Sequence, residues 1–263
     1  MLPGSEDSKD WDELSDWYDE KQGETGDLGD KAFIDSVLLR LIGNCQGMDV
    51  LDLGCGNGYL ARKLAREGAR VTAVDSSLRM LEKAKAHDPA DSLKVKYVHS
   101  DARLLSGIAD ASFDLVYASM SLMDIEEAEA AIGEVSRVLR GGGRFVASIS
   151  HPCFDNGSNS GWIVQRTGAG PIKVYRGIRA YRGLFSEQMP WKLGNNETMF
   201  TRSFHRPLNW YARVLRAKGF AITALEEPEP AQEFLEKERQ KGNLQSLGFL
   251  EVPLHLVIEA AKL

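Results

Sequence analysis

Residues 50–58 read Val-Leu-Asp-Leu-Gly-Cys-Gly-Asn-Gly, an apolar run that leads directly into a loop with three alternate glycines. The apolar run predicts a buried strand, and the periodicity of residues 59–66 predicts a helix. Gly54, Gly56 and Gly58 can adopt backbone angles, and allow a ligand to approach, where a Cβ would interfere. The stretch therefore predicts a strand–loop–helix unit whose backbone amides converge on a bound cofactor.

The segment Asp52-Leu-Gly54-Cys55-Gly56-Asn-Gly58 resembles the first motif of the class I S-adenosylmethionine-dependent methyltransferases, in particular the broad methyltransferase-domain group that acts on small molecules and on tRNA. Dinucleotide-binding enzymes also place a glycine-rich turn between a first strand and a first helix. Their pattern is G-x-G-x-x-G, whereas this chain has G-x-G-x-G with Asp52 two residues before the first glycine. The resemblance implies S-adenosylmethionine as cofactor, contacted by these five numbered residues.

Strand patterns and amphipathic helix patterns alternate along the rest of the chain, as is typical of α/β proteins. Strands are predicted over 48–53, 70–74, 93–98, 113–118, 144–150, 220–225 and 252–260. Helices are predicted over 11–19, 30–41, 59–66, 77–86, 126–140 and 207–219, with a short charged helix beginning near residue 231. The three glycines at 141–143 read as the stop of the helix over 126–140. The resemblance implies a Rossmann-like, doubly wound, seven-stranded sheet whose last strand is antiparallel.

This pattern suggests one domain with an insertion. Its parts are an N-terminal leader and helices that cover the cofactor site (1–42), a cofactor-binding core (43–150), an inserted substrate lid after the fifth strand (151–206) and a C-terminal part of the core (207–263). Residues 1–10 read as a disordered leader. Regular periodicity fades between 151 and 205, so we expect the lid to be irregular.

Asp75 ends the second predicted strand, about twenty residues beyond the glycine loop. An acid at this position can accept both hydrogen bonds of a ribose diol, although it could instead cap the following helix. Ser76 is a second candidate for that cap. The resemblance places Ser76 and Met80 beside the adenosine, with Met80 in apolar contact with the adenine.

Four further cofactor contacts are implied by the resemblance. Asp101 and Ala102 follow the third strand, where an acid and a small residue recognise adenine in this family, although Asp101 could be an ordinary loop acid. Ser119 ends the fourth strand, close to where the methyl group is transferred. Tyr18 lies on an amphipathic aromatic helix and either packs on the domain or covers the methionine part of the cofactor.

The predicted lid region is basic and aromatic. Residues 166–216 contain ten Lys or Arg and two Glu, a formal charge of +8. Eight aromatic residues between 162 and 210 are interleaved with these cations. Such a mixture suits an anionic, partly flat acceptor, and the alternative is a solvated basic surface paired with the acidic core.

His151 is the candidate general base, because it follows the fifth strand at the donor edge and titrates in a useful range. A histidine that holds the lid by a hydrogen bond is the alternative, and His205 is the second candidate. No metal site is predicted, because Asp124 with Asp155 and Asn156 only weakly imitates a set of oxygen ligands.

Composition restricts the class of protein. The chain has 263 residues and a formal charge of −6, which argues against a surface that binds nucleic acid all round. Cys45, Cys55 and Cys153 support neither a disulfide framework nor a cysteine zinc site. No apolar run approaches the roughly 18–20 residues that span a bilayer, so we expect a cytoplasmic protein without a membrane partner. The oligomeric state is left open.

Together these features predict a methyltransferase that acts on O or N of a small, acidic metabolite. A tRNA-modifying methyltransferase is the alternative within the class, with the basic aromatic lid supplying phosphate contacts and base stacking. A hypothesis of another class is a non-catalytic protein that binds S-adenosylmethionine as a sensor or scaffold.

Overall fold

The structure is a computed structural model that describes residues 6–26, 34–88, 90–166, 168, 170, 172–194 and 196–263, without the side chains of residues 6 and 7. The helices are α1 Glu6–Gln22, α2 Ser36–Ile42, α3 Tyr59–Arg66, α4 Leu78–Ala86, α5 Ala128–Val138, α6 Leu208–Ala217 and α7 Gln232–Gln240. The strands are β1 Asp49–Leu53, β2 Arg70–Asp75, β3 Lys96–His99, β4 Phe113–Ser119, β5 Leu139–Ser150, β6 Ser160–Gln165, β7 Lys173–Ile178, β8 Phe185–Gly194, β9 Glu197–His205, β10 Phe220–Glu226 and β11 His255–Lys262.

Seven strands form one sheet in the order β10-β11-β5-β4-β1-β2-β3. The pairs among β1 to β5 are parallel, and β11 inserts between β5 and β10 antiparallel to both. The predicted fold class is therefore confirmed, including the antiparallel last strand. Because the parallel strands end at one edge, side chains that follow β1, β2, β3 and β4 meet there.

Helices cover both faces of the sheet, and the alternation of side chains along β4 shows how the core is divided. Leu115 and Tyr117 lie in the apolar cluster with α2 and α3, whereas Val116 and Ala118 lie in the cluster with α5 and α6. All four are fully buried. A strand covered on both faces reads as a continuous apolar run, which is why β4 could be predicted from the sequence.

In the N-terminal half, the expectations for the leader and for the cap of α4 were wrong, and a third expectation falls partly outside the described residues. The helix α1 begins at Glu6, so it includes part of the predicted leader. The helix predicted over 30–41 falls partly on residues 27–33, outside the described residues, and the described helix starts at Ser36. The cap of α4 is Ser77 rather than Ser76, because the Ser77 hydroxyl accepts a 3.0 Å hydrogen bond from the Met80 amide.

The three glycines at 141–143 do not stop a helix. The helix α5 ends at Val138, and β5 runs from Leu139 through the glycines. The register with β4 shifts between the pairs Phe113–Leu139 and Leu115–Arg144, so the glycines form a bulge in the strand. The glycines therefore belong to the sheet, and the predicted boundaries of the fifth helix and fifth strand were wrong here.

The inserted segment is not irregular. It forms two antiparallel hairpins, β6–β7 and β8–β9. Alternate side chains of β8 are exposed, and its Phe185, Met189, Trp191 and Leu193 share the other face. This alternation was the sequence signal for a strand. We call β8–β9 the lid hairpin, because it packs on α1.

Candidate functional site

A cleft of about 1030 Å³, counting the part open to solvent, lies at the carboxyl edge of the parallel strands. Its lining includes eleven of the twelve predicted cofactor residues: Tyr18, Asp52, Gly54, Cys55, Gly56, Asp75, Ser76, Met80, Asp101, Ala102 and Ser119. It also includes residues that were not predicted as cofactor contacts, among them Trp11, Arg103 and Ser121. The cleft therefore brings the predicted cofactor residues together, and their individual roles stay predictions.

Two glycines of the loop have a positive φ and are packed closely against neighbouring side chains. Gly54 has φ +75°, and a Cβ there would lie 2.5 Å from the Cβ of Ser121. Gly58 has φ +72° and lies outside the cleft lining, where a Cβ would lie 2.9 Å from the Tyr97 ring and 3.1 Å from the Cβ of Ala84. The requirement at Gly58 is therefore close packing of the start of α3, rather than space for a ligand.

Asp75 is joined to the glycine loop by its carboxylate. One oxygen accepts from the Gly56 amide at 2.8 Å, and the other accepts from the Ser77 amide at 2.8 Å. Burial raises the pKa of Asp75, although these two hydrogen bonds oppose the shift. The carboxylate thus has a fixed orientation in the cleft and keeps lone pairs that can accept from hydroxyl groups.

Asp52 lies deeper, at the end of β1, and is 2% exposed. Its carboxylate accepts a 2.6 Å hydrogen bond from the Tyr117 hydroxyl. Burial raises the pKa of Asp52 to about 7, and the nearby Asp75 charge adds to the shift, whereas the bond from Tyr117 opposes it. A cation placed in the cleft would favour the ionised form of this carboxylate.

Asp101 pairs with Arg103, a residue that was not predicted from the sequence. The Arg103 Nε lies 2.9 Å and 3.0 Å from the two Asp101 oxygens, and Nη2 lies 2.6 Å from one of them. Burial alone would raise the pKa of Asp101, but the Arg103 hydrogen bonds outweigh it and the pKa is lowered. An adenine amine at Asp101 would share the carboxylate with Arg103.

The helix α1 covers the cleft through aromatic side chains. The ring centroid of Trp191, from the lid hairpin, lies 5.7 Å from that of Trp11, 5.8 Å from that of Trp17 and 6.3 Å from that of Tyr18. We call these four residues the aromatic cluster. Trp11 and Tyr18 also line the cleft, so the cluster joins the lid hairpin to the cofactor site.

A polar contact also ties α1 to the glycine loop. The side-chain amide of Asn57 donates to the Asp19 carboxylate at 2.9 Å and to the Gly23 carbonyl at 2.9 Å. The His87 Nε2 lies 2.7 Å from the same Asp19 oxygen. Asn57 is 1% exposed. The end of α1 is therefore fixed on the loop that carries the glycines.

The residues that follow β4 form the remaining wall of the cleft. Ser119, Ser121, Asp124 and Ile125 line it. The Ser121 hydroxyl donates a 2.7 Å hydrogen bond to the Leu53 carbonyl, which holds this wall against the end of β1. We call residues 119–126 the post-β4 segment.

His151 does not line the cleft. Its Nδ1 accepts from the Cys153 amide at 3.1 Å, so Nε2 carries the proton and donates to Glu227 at 3.0 Å. The side chain is almost fully buried, and burial lowers the pKa of His151, although Glu227 opposes the shift. The catalytic role of His151 stays a prediction, which these contacts do not support.

Two arginines of the inserted segment make their hydrogen bonds inside the protein. Arg176 donates to Phe154, Asp155 and Ser160, and Arg206 donates to four carbonyl oxygens. The ten cations of 166–216 are all described, and none of them is among the residues that line the cleft. The expectation that the cations face the acceptor gains no support from this cleft and stays a prediction.

Metal-binding clusters and membrane-spanning helices were sought within the described ranges. They contain no group of three or more His, Cys, Asp or Glu side chains that could hold a metal ion. Every helix within them is too short or too polar to span a lipid bilayer.

Comparisons with known proteins agree with this geometry. Residues 51–147 match the family model described as methyltransferase domain. The chain is 38% identical over 117 residues to a malonyl-(acyl-carrier protein) O-methyltransferase of Buchnera aphidicola, covering 44% of this chain and 45% of the relative. It is 35% identical over 119 residues to a demethylmenaquinone methyltransferase of Renibacterium salmoninarum, covering 45% and 48%. These matches span about half the length of the relatives.

A solved structure matches over more of the chain. An S-adenosylmethionine-dependent methyltransferase from Mesorhizobium loti superposes with a TM-score of 0.69 and 26% identity, covering 86% of this chain and 96% of that one. The likeness therefore extends beyond the core that the curated relatives match.

Proposed function

We propose that this chain, which belongs to the class I S-adenosylmethionine-dependent methyltransferases, transfers the methyl group of that cofactor to an oxygen or nitrogen atom of a small molecule. One observation carries the proposal more than any other. The glycine loop and the tip of β2 meet in one cleft, where the Gly56 amide orients the Asp75 carboxylate.

The residues present fit the cofactor. A Cβ at Gly56 would have Tyr18 as its nearest neighbour, at 3.7 Å, so the loop leaves space on its cleft side. Asp75 would accept from the ribose hydroxyls. The amino group of the cofactor is a cation, and a cation favours the ionised form of Asp52. Asp52 is therefore suited to bind that end of the cofactor. Met80 and Ala102 offer apolar contact for the adenine.

The cofactor supplies an activated methyl group when bound, so this chain has to align the acceptor and exclude water. The aromatic cluster covers the cleft on one side, and the post-β4 segment forms the opposite wall. An acceptor held between them would lie at the carboxyl end of β4, beside Ser119. The described contacts identify no general base, and an acceptor that is already deprotonated would need none.

The names of the relatives describe methylation of a malonyl-(acyl-carrier protein) and of demethylmenaquinone. On that analogy the methylated group is small, and the acceptor is proposed to be a small molecule. An anionic acceptor, as expected from the basic lid, has little support from the cleft. Asp52, Asp75, Asp101 and Asp124 line it, and Arg103 is the one Lys or Arg among its described lining residues. Because Arg103 is paired with Asp101, the cleft offers an anion little net attraction.

The proposal can be tested with methyl-labelled S-adenosylmethionine and the small-molecule fraction of a cell extract. We expect label to appear in an extractable product, and the Asp75→Asn variant to slow its formation. Exclusive labelling of an added tRNA fraction would overturn the small-molecule assignment. Binding of S-adenosylhomocysteine without transfer to any fraction would indicate a sensor or scaffold.

A further inference from the structure

We infer that Arg206, at the base of the lid hairpin, is a positioning residue. It holds the post-β4 segment, which forms the acceptor side of the cleft, in place. This inference rests on the proposed function. The Arg206 guanidinium donates through Nη2 to the carbonyls of Ile125 at 2.5 Å and Glu126 at 2.7 Å. Through Nη1 it donates to Leu122 at 3.3 Å. One side chain thus holds three carbonyls of the post-β4 segment.

The guanidinium itself is firmly placed. Its carbon lies 5.5 Å from the ring centroid of Phe204 and 5.0 Å from that of Trp210. Nη1 also donates to the Phe204 carbonyl at 3.4 Å, and the residue is 6% exposed. Burying a charge is costly unless hydrogen bonds compensate for it. Carbonyl oxygens and aromatic faces provide that compensation here.

The geometry explains why the residue is arginine. The post-β4 segment makes a short 3₁₀ turn over Leu122–Asp124, and then leads into α5. The carbonyls of Ile125 and Glu126 lie between these two elements. A planar guanidinium has five donors in a fixed fork and can reach several such carbonyls at once, whereas a lysine ammonium cannot match that arrangement.

The segment that Arg206 holds forms part of the wall of the cleft. Asp124 and Ile125 line the cleft, directly beside the carbonyls that Arg206 binds. Arg202, on strand β9, lies 3.7 Å from the Glu126 carboxylate and adds a second contact between the lid hairpin and the post-β4 segment. The glycine loop and Asp75 have no described contact with Arg206. The carbonyls that Arg206 binds belong to Leu122, Ile125 and Glu126, past Ser121, which is the residue that packs on Gly54 of the glycine loop. Loss of Arg206 should therefore disturb the acceptor side more than the donor side.

The experiment compares wild type with Arg206→Lys and Arg206→Ala. The affinity for S-adenosylhomocysteine is measured by calorimetry, and the rate of labelled methyl transfer is measured against the concentration of the small-molecule extract. We expect the affinity to change by less than about twofold, and the extract concentration for half-maximal rate to rise by roughly tenfold or more, because a small misplacement of reactants is costly. Added guanidinium should partly restore Arg206→Ala, whereas added sodium chloride should not.

Arg216→Lys on the exposed face of α6 is the matched control and should behave as wild type. Hydrogen exchange of the amides in 120–127 gives a readout that needs no acceptor, and we expect it to be faster in both Arg206 variants than in wild type. Unchanged exchange there, or an equal loss of S-adenosylhomocysteine affinity and transfer, would overturn the positioning role. If wild type binds S-adenosylhomocysteine but transfers no label, the proposed function fails, and hydrogen exchange still decides the role of Arg206.

Discussion

The main-chain amide of Gly56 donates a 2.8 Å hydrogen bond to the carboxylate of Asp75, which joins the glycine loop to the tip of β2. The two residues are 19 positions apart and are brought together because β1 and β2 are adjacent parallel strands. A ligand that contacts the loop amides would therefore also meet a carboxylate of fixed orientation. The proposed donor site depends on this pair.

Replacing Asp75 by Asn should weaken the binding of S-adenosylhomocysteine. A hydrogen bond to a charged group contributes about 1.5–3 kcal/mol, so we expect a loss of roughly 10- to 100-fold in affinity. Isothermal titration calorimetry measures the effect, with Glu236→Gln on the exposed face of α7 as control. Wild-type affinity in Asp75→Asn would contradict the ribose assignment.

The close approach of Gly54 to Ser121 predicts a difference between two glycine substitutions. Gly107→Ala places a side chain at φ +79° in open space and should cost about 1–2 kcal/mol of stability. Gly54→Ala has φ +75° and also overlaps Ser121, which should add roughly 1–3 kcal/mol. Denaturant unfolding measures both variants. Equal losses would show that Ser121 moves aside without cost.

The raised pKa of Asp52 predicts a pH-dependent stability of the ligand-free protein. The folded-state pKa is about 7, and the ordinary value for Asp is about 3.9, so between these values the folded protein holds a proton that the unfolded chain has released. The free energy of unfolding should therefore fall as the pH rises through this window, by up to about 1.4 kcal/mol per pH unit from this group.

Asp52→Asn should remove that contribution and flatten the dependence, although Asp75, whose pKa is also raised, keeps part of it. Urea unfolding at several pH values between 4 and 8 measures both proteins. The prediction would be contradicted if the stability of the wild type rose over this range in parallel with that of the variant. That result would show that the pKa of Asp52 is not raised in the folded protein.

The aromatic cluster predicts that the lid hairpin contributes to cofactor binding. Trp191→Ala removes the ring that contacts Trp11 and Tyr18, and aromatic pairs contribute about 0.5–1.5 kcal/mol each. We expect S-adenosylhomocysteine affinity to fall by several fold and hydrogen exchange in α1 to accelerate. Trp162→Ala is the matched control, because Trp162 packs on Phe249, with ring centroids 5.4 Å apart, rather than on α1. Equal effects of the two substitutions would contradict a role of the cluster.

The residues that meet in the proposed donor site could be predicted because the signals for them are local. The glycine loop and Asp75 are each recognisable within a few residues, and parallel strands bring their carboxyl ends to one edge. Arg103 lies two residues after the predicted Asp101, so a charged pair at this turn was available as a signal. How Arg103 bonds the two Asp101 carboxylate oxygens depends on side-chain geometry, which the sequence does not specify.

The acceptor half could not be predicted because it depends on contacts between distant segments. Arg206 belongs to a run of cations that suggested an anion site, yet it binds carbonyls about eighty residues earlier in the chain. His151 follows the expected strand, but its side chain bonds to Glu227, away from the cleft. Composition indicates how many cations a segment has, and only tertiary packing decides which of them face a ligand.

The cleft under α1 is proposed to bind the methyl donor. Isothermal titration of the protein with S-adenosylhomocysteine, and separately with a nicotinamide dinucleotide, tests it most directly. We predict saturable binding of S-adenosylhomocysteine at one site per chain, weakened in Asp75→Asn, and no comparable binding of the dinucleotide. Binding of the dinucleotide in preference to S-adenosylhomocysteine would contradict the account.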